Sequence, residues 1–220
     1  MHLALEAAEI SHMNTATDQT QRDRALALLA ERGMARLREL IGAGVDEETV
    51  SRLVRRGEVV RLARGLYQLP DAGFEAEHSL AEAAKLVPKG IICLISALQF
   101  HRLTVQLPPF VWMAIDRTTR KPKVTSPQIR FVRFGGKTLT MGIETHVIEG
   151  ASVRIYEPAK TVVDCFRYRR KIGLDVALEG LREAVRQRRA RPDEIVRYAK
   201  DCRAWTVIRP YLEAVVSDAA

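Results

Sequence analysis

The chain of 220 residues is sparing with the residue patterns that build cross-linked, membrane-spanning and catalytic proteins. Its three cysteines, Cys93, Cys165 and Cys202, lie far apart and form no C-x-x-C pair, so neither a disulfide framework nor a cysteine zinc site is indicated. The longest apolar run, Gly90 to Leu98, is far short of a membrane span, and no basic segment followed by an apolar core opens the chain. These absences lead to the expectation of a cytoplasmic protein with reduced core thiols and no membrane partner. G-x-S-x-G, P-loop and G-x-G-x-x-G patterns are missing as well. Glu144 and His146 share one strand face without a third ligand at a recognisable spacing. Glu157 and Lys160 are separated by Pro158 at a strand-to-helix junction, so no nuclease-like carboxylate and lysine set forms. The expectation is a protein that is not an enzyme, with no catalytic residue, metal or cofactor.

What the chain does have is positive charge. The formal net charge is +8 and the sequence pI about 9.7, a balance that favours nucleic acid or another polyanion as partner. It is unevenly placed: residues 1–72 carry −1, residues 73–150 carry +4 and residues 151–220 carry +5.

The near-neutral first part holds the clearest local pattern. In MARLRELIGAGVDEETVSRLVRRGEVVRLARGLYQLP, Met34 to Pro70, Leu37, Leu40 and Ile41 recur at helical spacing, as do Val50, Leu53 and Val54. Gly42 and Gly44 break the helix between the two stripes. Asp46 is placed to cap the second helix, with Glu47 and Glu48 in its first turn. Val60 and Leu62 then alternate with Arg61, and Tyr67 and Leu69 with Gln68, on either side of Ala63-Arg64-Gly65, as in a small hairpin. This is the order of a winged helix-turn-helix. A wheel at 100° per residue puts Glu48, Arg52 and Arg55 opposite the apolar stripe, flanked by Ser51 and Arg56. Arg52 and Arg55 are of the type that reads guanine edges, while Ser51, Arg56, Arg61 and Arg64 suit phosphates.

The remaining elements follow from period. Residues 1–20 are weakly patterned, Asp23 to Arg32 predicts the first helix of a small domain over 21–72, and 71–78 reads as a connector. The larger domain, 73–220, is expected to open with a helix pair, one capped by Ser79 and running to Pro88, the next from Ile91 to about Arg102. FVWMAID, QIRFVRF, KTLTMGI, ETHVI and VRIYE then predict a mainly antiparallel sheet, with Gly135-Gly136 as the hairpin turn between the second and third. Four apolar stripes predict C-terminal helices: Ala159, Val162, Val163 and Phe166; Leu174, Leu178, Leu181 and Val185; Ile195 to Tyr198; and Val207 to Val215. The fold class is α+β: a winged helix-turn-helix followed by a mixed α+β domain.

The residues RRGEVVRLARGLYQL, ISALQFHRLT and YEPAKTVVDCFRYRRKIGLDVALEGLREAV, in this order, resemble AbiEi-type antitoxins of the abortive-infection, type IV toxin-antitoxin class, over roughly residues 22–216. The resemblance implies a bifunctional protein. Its N-terminal domain would bind inverted repeats in its own promoter as an autorepressor. Its C-terminal domain would counter a nucleotidyltransferase-like toxin encoded alongside, without a stable complex. A stand-alone winged-helix regulator would have a very similar sequence, and a nucleic-acid-processing enzyme is a further alternative. A second basic surface is open to two readings, phosphate contact or ordinary solvated charge. It comprises Arg120, Lys121 and Lys123 in the loop RTTRKPK and, in the helix after Pro158, Lys160 and Lys171 on the outer side with Asp164 and Tyr168, and Arg167 at its edge.

Overall fold

In the computed structural model the described residues are 20–70, 76–124 and 126–218. The weakly patterned segment expected over 1–20 lies outside them except for Thr20, and so does the expected connector as far as residue 75. The architecture is mixed α+β. It divides into two compact units, one made of residues up to His78 with Glu149–Ala151, the other of Ser79–Ile148 and the residues from Ser152 on.

The first unit runs α1 (20–32), β1 (Met34–Arg36), α2 (Leu37–Gly42), α3 (Glu47–Arg55), β2 (Val60–Ala63) and β3 (Leu66–Gln68). Three short strands form an antiparallel sheet in the order β1-β3-β2. Ala25 and Leu29 from α1, Leu40 from α2, and Val50 and Leu53 from α3 share one buried cluster with Tyr67 of β3. Ile41, counted in the α2 stripe by spacing, is instead 51% exposed. Central strand β3 is buried along its length, Gln68 included, so the expected alternation across Gln68 does not hold there.

The second unit contains a five-stranded sheet in the order β6-β5-β4-β8-β7. Its strands are β4 (Ile91–Ile92), β5 (Val111–Asp116), β6 (Ile129–Phe134), β7 (Ile143–Ile148) and β8 (Ala151–Tyr156). β4 pairs antiparallel with β5, but β4–β8 and β5–β6 are parallel, so the sheet is mixed rather than mainly antiparallel. Around it lie α4 (Ala76–Leu86), α5 (Leu94–Phe100), α6 (Lys137–Thr140), α7 (Pro158–Arg167), α8 (Arg169–Ile172), α9 (Leu174–Arg186), α10 (Pro192–Asp201) and α11 (Trp205–Asp218). α7 packs against α5, α9, α10 and α11 and is the hub of the helical side.

Several expected boundaries move. α4 begins before Ser79, which lies inside the helix and does not cap it. Ile91 and Ile92 form a strand; Cys93 is still extended, and the helix begins only at Leu94, which itself adopts φ 50°. Gly135-Gly136 does not turn a hairpin: Gly136, at φ 54°, precedes the one-turn helix α6, and Thr138 Oγ1 donates to the Gly135 carbonyl at 2.8 Å. Leu139 and Met141 pack on the core from that turn, an i, i+2 spacing that imitates a strand in the sequence. On α9 the buried stripe is Val176, Ala177, Gly180, Leu181 and Ala184, leaving Leu174 37% exposed.

Candidate nucleic-acid interface

Helix α3 is braced at both ends. Asp46 Oδ1 accepts the Thr49 amide at 2.7 Å, the expected N-cap, and this bond holds the Asp46 carboxyl below its ordinary range. The Asp46 amide donates to Gln21 Oε1 of α1 at 3.0 Å, and beyond the far end of α3 Arg22 Nη2 of α1 meets Glu58 at 2.6 Å. Glu47 and Glu48 at the start and Arg52 and Arg55 at the end match the sign of the helix dipole. Between α2 and α3, Gly44 takes φ 80°, a turn conformation that disfavours side chains with a Cβ.

With Thr49, Val50 and Leu53 facing inward, Ser51, Arg55 and Arg56 are exposed. Arg52 differs: it is half-buried, and its Nη2 donates to Thr49 Oγ1 at 3.1 Å, so its guanidinium is drawn back along the helix. Arg55 and Arg56 therefore project more openly than Arg52. In the hairpin, Arg61 and Arg64 are exposed. Arg61 Nε donates to the Ala63 carbonyl at 3.3 Å, beside the register shift between Arg61 and Ala63. Gly65 completes the turn at φ 71°, and its carbonyl accepts the Leu37 amide at 2.9 Å, tying the tip to the start of α2.

The second unit redistributes the other six candidates. Arg120, Lys121, Lys123 and Lys171 are exposed, and Arg167 is half-buried. Lys160 is not on an outer surface: both it and Asp164 are 0% exposed. Every residue of α7 from Ala159 to Phe166 is buried, so this helix has no outer side over that span, and a wheel drawn from one apolar stripe misplaces its charges. Asp164 accepts from Lys160 Nζ and, at 2.8 Å, from Arg167 Nη1. Lys160 Nζ also lies 4.1 Å from the Tyr156 ring centroid and 5.0 Å from that of Phe134. Burial pushes the Asp164 carboxyl up, against the opposing pull of Lys160 and Arg167. A cation and an anion enclosed this way replace their water with each other, with the Arg167 guanidinium on the carboxylate side and with aromatic faces on the lysine side.

Sequence reasoning passed over Arg130 and Arg133. They stand exposed on opposite faces of β6, three residues apart, and the two arginines within the segment QIRFVRF were the signal in the sequence. Arg133 Nη1 donates to the carbonyls of Arg117 at 2.5 Å and Thr119 at 3.0 Å, fastening the start of the basic loop. Among the described residues, no group of three or more His, Cys, Asp or Glu side chains is arranged to hold a metal. Glu144 and His146 instead meet each other at 3.1 Å. No helix there is long and apolar enough to cross a membrane. Cys93, Cys165 and Cys202 are buried free thiols, each pushed up by burial.

Residues 23–70 match a protein family described as "Transcriptional regulator, AbiEi antitoxin". The crystal structure of the RV2827C protein from Mycobacterium tuberculosis superposes with a TM-score of 0.62, covering 89% of this chain and 77% of that one at 15% identity, a likeness of fold. No curated protein matches the chain in sequence.

Proposed function

Starting from the match of residues 23–70 to the AbiEi transcriptional-regulator family, we propose that the chain is a sequence-specific, duplex-DNA-binding autorepressor whose first unit works as a winged helix-turn-helix. One observation carries the reading: α3, capped by Asp46 and braced by α1, presents Ser51, Arg55 and Arg56 outward within the matched residues. α3 would lie in the major groove, with Arg55 closest to base edges and Arg52 steadied by Thr49 beside it. Ser51, Arg56, Arg61 and Arg64 would hold phosphates. The first part of the chain carries −1, so its attraction to DNA is local to this face. The partner is its own promoter, and inverted repeats there would match a pair of copies.

The finer part of the proposal is the antitoxin role: the second unit would counter a nucleotidyltransferase-like toxin encoded alongside, without being an enzyme and without a stable toxin complex, in the cytoplasm. Retardation of a fragment from immediately upstream of the gene, at protein concentrations that leave a composition-matched duplex unbound, is the expected result of a mobility-shift titration. Failure to retard any upstream fragment would remove the repressor reading. Co-expression with the product of a neighbouring nucleotidyltransferase-like gene should restore growth, and absence of rescue would leave a regulator without the antitoxin role.

A further inference from the structure

Between Phe110 and Gly142 the chain carries seven basic side chains and one acidic, Asp116, together with Phe110, Trp112, Phe131 and Phe134. Asp116 is engaged locally, accepting from the Thr118 hydroxyl at 2.6 Å and its amide at 2.8 Å. Lys137 is matched by Asp201 at 3.1 Å, but Arg120, Lys121, Lys123 and Arg130 form no ion pair among the described residues. The stretch folds into β5, the loop after it and β6, which stands at the end of the strand order with β5 as its one sheet neighbour. No further strand covers that side among the described residues.

The aromatic rings here carry cations. The guanidinium of exposed Arg130 rests 3.9 Å from the centroid of half-buried Phe110 and 5.8 Å from that of Trp112, and the two rings meet edge-on at 5.3 Å. One residue along, on the opposite face of the strand, Lys121 Nζ lies 5.8 Å from the Phe131 centroid. A planar guanidinium laid on an aromatic ring and open to solvent is a stacking platform for an unpaired base, whose π-face a duplex keeps hidden. Unpaired lysines and arginines in the adjoining loop supply the charge that follows a phosphodiester backbone.

We propose that this edge of the second unit binds a segment of single-stranded nucleic acid. One unpaired base stacks on the Arg130–Phe110 layer, and the backbone passes around the open edge of β6, where Arg120, Lys121 and Lys123 hold phosphates further along the same strand. This surface shares no residue with the duplex-reading face of α3, and its ligand is chemically distinct because it offers exposed base faces.

The test titrates the full chain into fluorescein-labelled oligouridylate and oligodeoxythymidylate of about 12 nucleotides, within the range that single-strand-binding folds cover, and into a random duplex, at fixed salt. Arg130→Lys keeps the charge and removes the planar stack. It should weaken binding of the single strands by about 5- to 150-fold, the range for one base stack, and leave the duplex unchanged. Preference for the RNA or the DNA oligomer identifies which source the site takes. Arg55→Ala should leave oligomer binding intact, so loss of promoter binding and loss of this site are separable. Absence of binding to both oligomers, or equal affinity of Arg130→Lys and wild type, would overturn the proposal. Either result would return the Arg130–Phe110 contact to the ordinary role of a charged guard on an edge strand.

Discussion

Helices α3 and α7 carry similar lettering and opposite physics. Both place charged residues three and four apart opposite an apolar stripe: Glu48, Arg52 and Arg55 in one, Lys160, Asp164 and Arg167 in the other. On α3 one face is buried, so most of these charges meet water. α7 is enclosed by α5, α9, α10, α11 and the sheet, so Lys160 and Asp164 are shut in together, and only Arg167 reaches the surface, 21% exposed. The arrangement of neighbours decides which outcome a charged stripe meets, and a wheel contains no neighbours. A charge on α3 is available to a ligand, whereas a charge on α7 is committed to the fold.

Breaking the α7 pair should give the largest effect. Asp164→Ala leaves Lys160 buried without its carboxylate, and a loss of about 3 to 5 kcal/mol in denaturant-determined stability is expected. The double variant Lys160→Met with Asp164→Leu removes both charges and should recover most of that loss, because well-packed apolar replacements of a buried pair are often neutral or stabilising. If Asp164→Ala were as stable as wild type, α7 would be no different from a solvated helix, and the contrast with α3 would disappear.

On α3 the corresponding stability effects are smaller. Asp46→Ala should cost about 0.5 to 2 kcal/mol through the lost cap, whereas Asp46→Asn, which also caps, should stay near wild type at neutral pH. The pH dependence has a defined sign. The Asp46 carboxyl is held below its unfolded value, so its stabilisation is fully present above that value and is lost as pH falls through the lower folded one. In thermal melts wild type should therefore fall towards Asp46→Ala as the pH drops into acid, and fall below Asp46→Asn, which has no carboxylate to protonate. Smallest of all, Arg186→Ala breaks an exposed pair with Glu183, Nη2 to Oε2 2.5 Å, on α9 and should leave the melting temperature within error of wild type.

Much of the first unit was legible because its signals are local. The Asp46 cap, the Val50 and Leu53 stripe and the Gly65 turn each depend on residues within a few positions of one another. In the second unit the determining contacts are distant in sequence. Ile91 and Ile92 form a two-residue strand between β5 and β8 and are buried on both faces, so no alternation marks them. The α6 turn borrowed the period of a strand, and Lys160 is buried because Tyr156, Phe134 and Asp164 receive it. At the candidate interface the residues were legible and their posture was not. Arg52 and Arg55 look equivalent on a wheel, yet Thr49 draws Arg52 inward and leaves Arg55 the more exposed.

The most direct measurement is the ratio of affinities of Arg55→Ala for its own upstream fragment and for a composition-matched random duplex, titrated at fixed salt beside wild type. If α3 reads bases, the ratio should fall by about 5- to 150-fold, the worth of one specific base contact of 1 to 3 kcal/mol, with random-duplex affinity little changed. Equal weakening on both duplexes would make Arg55 a phosphate contact and contradict the claim that this face chooses the sequence.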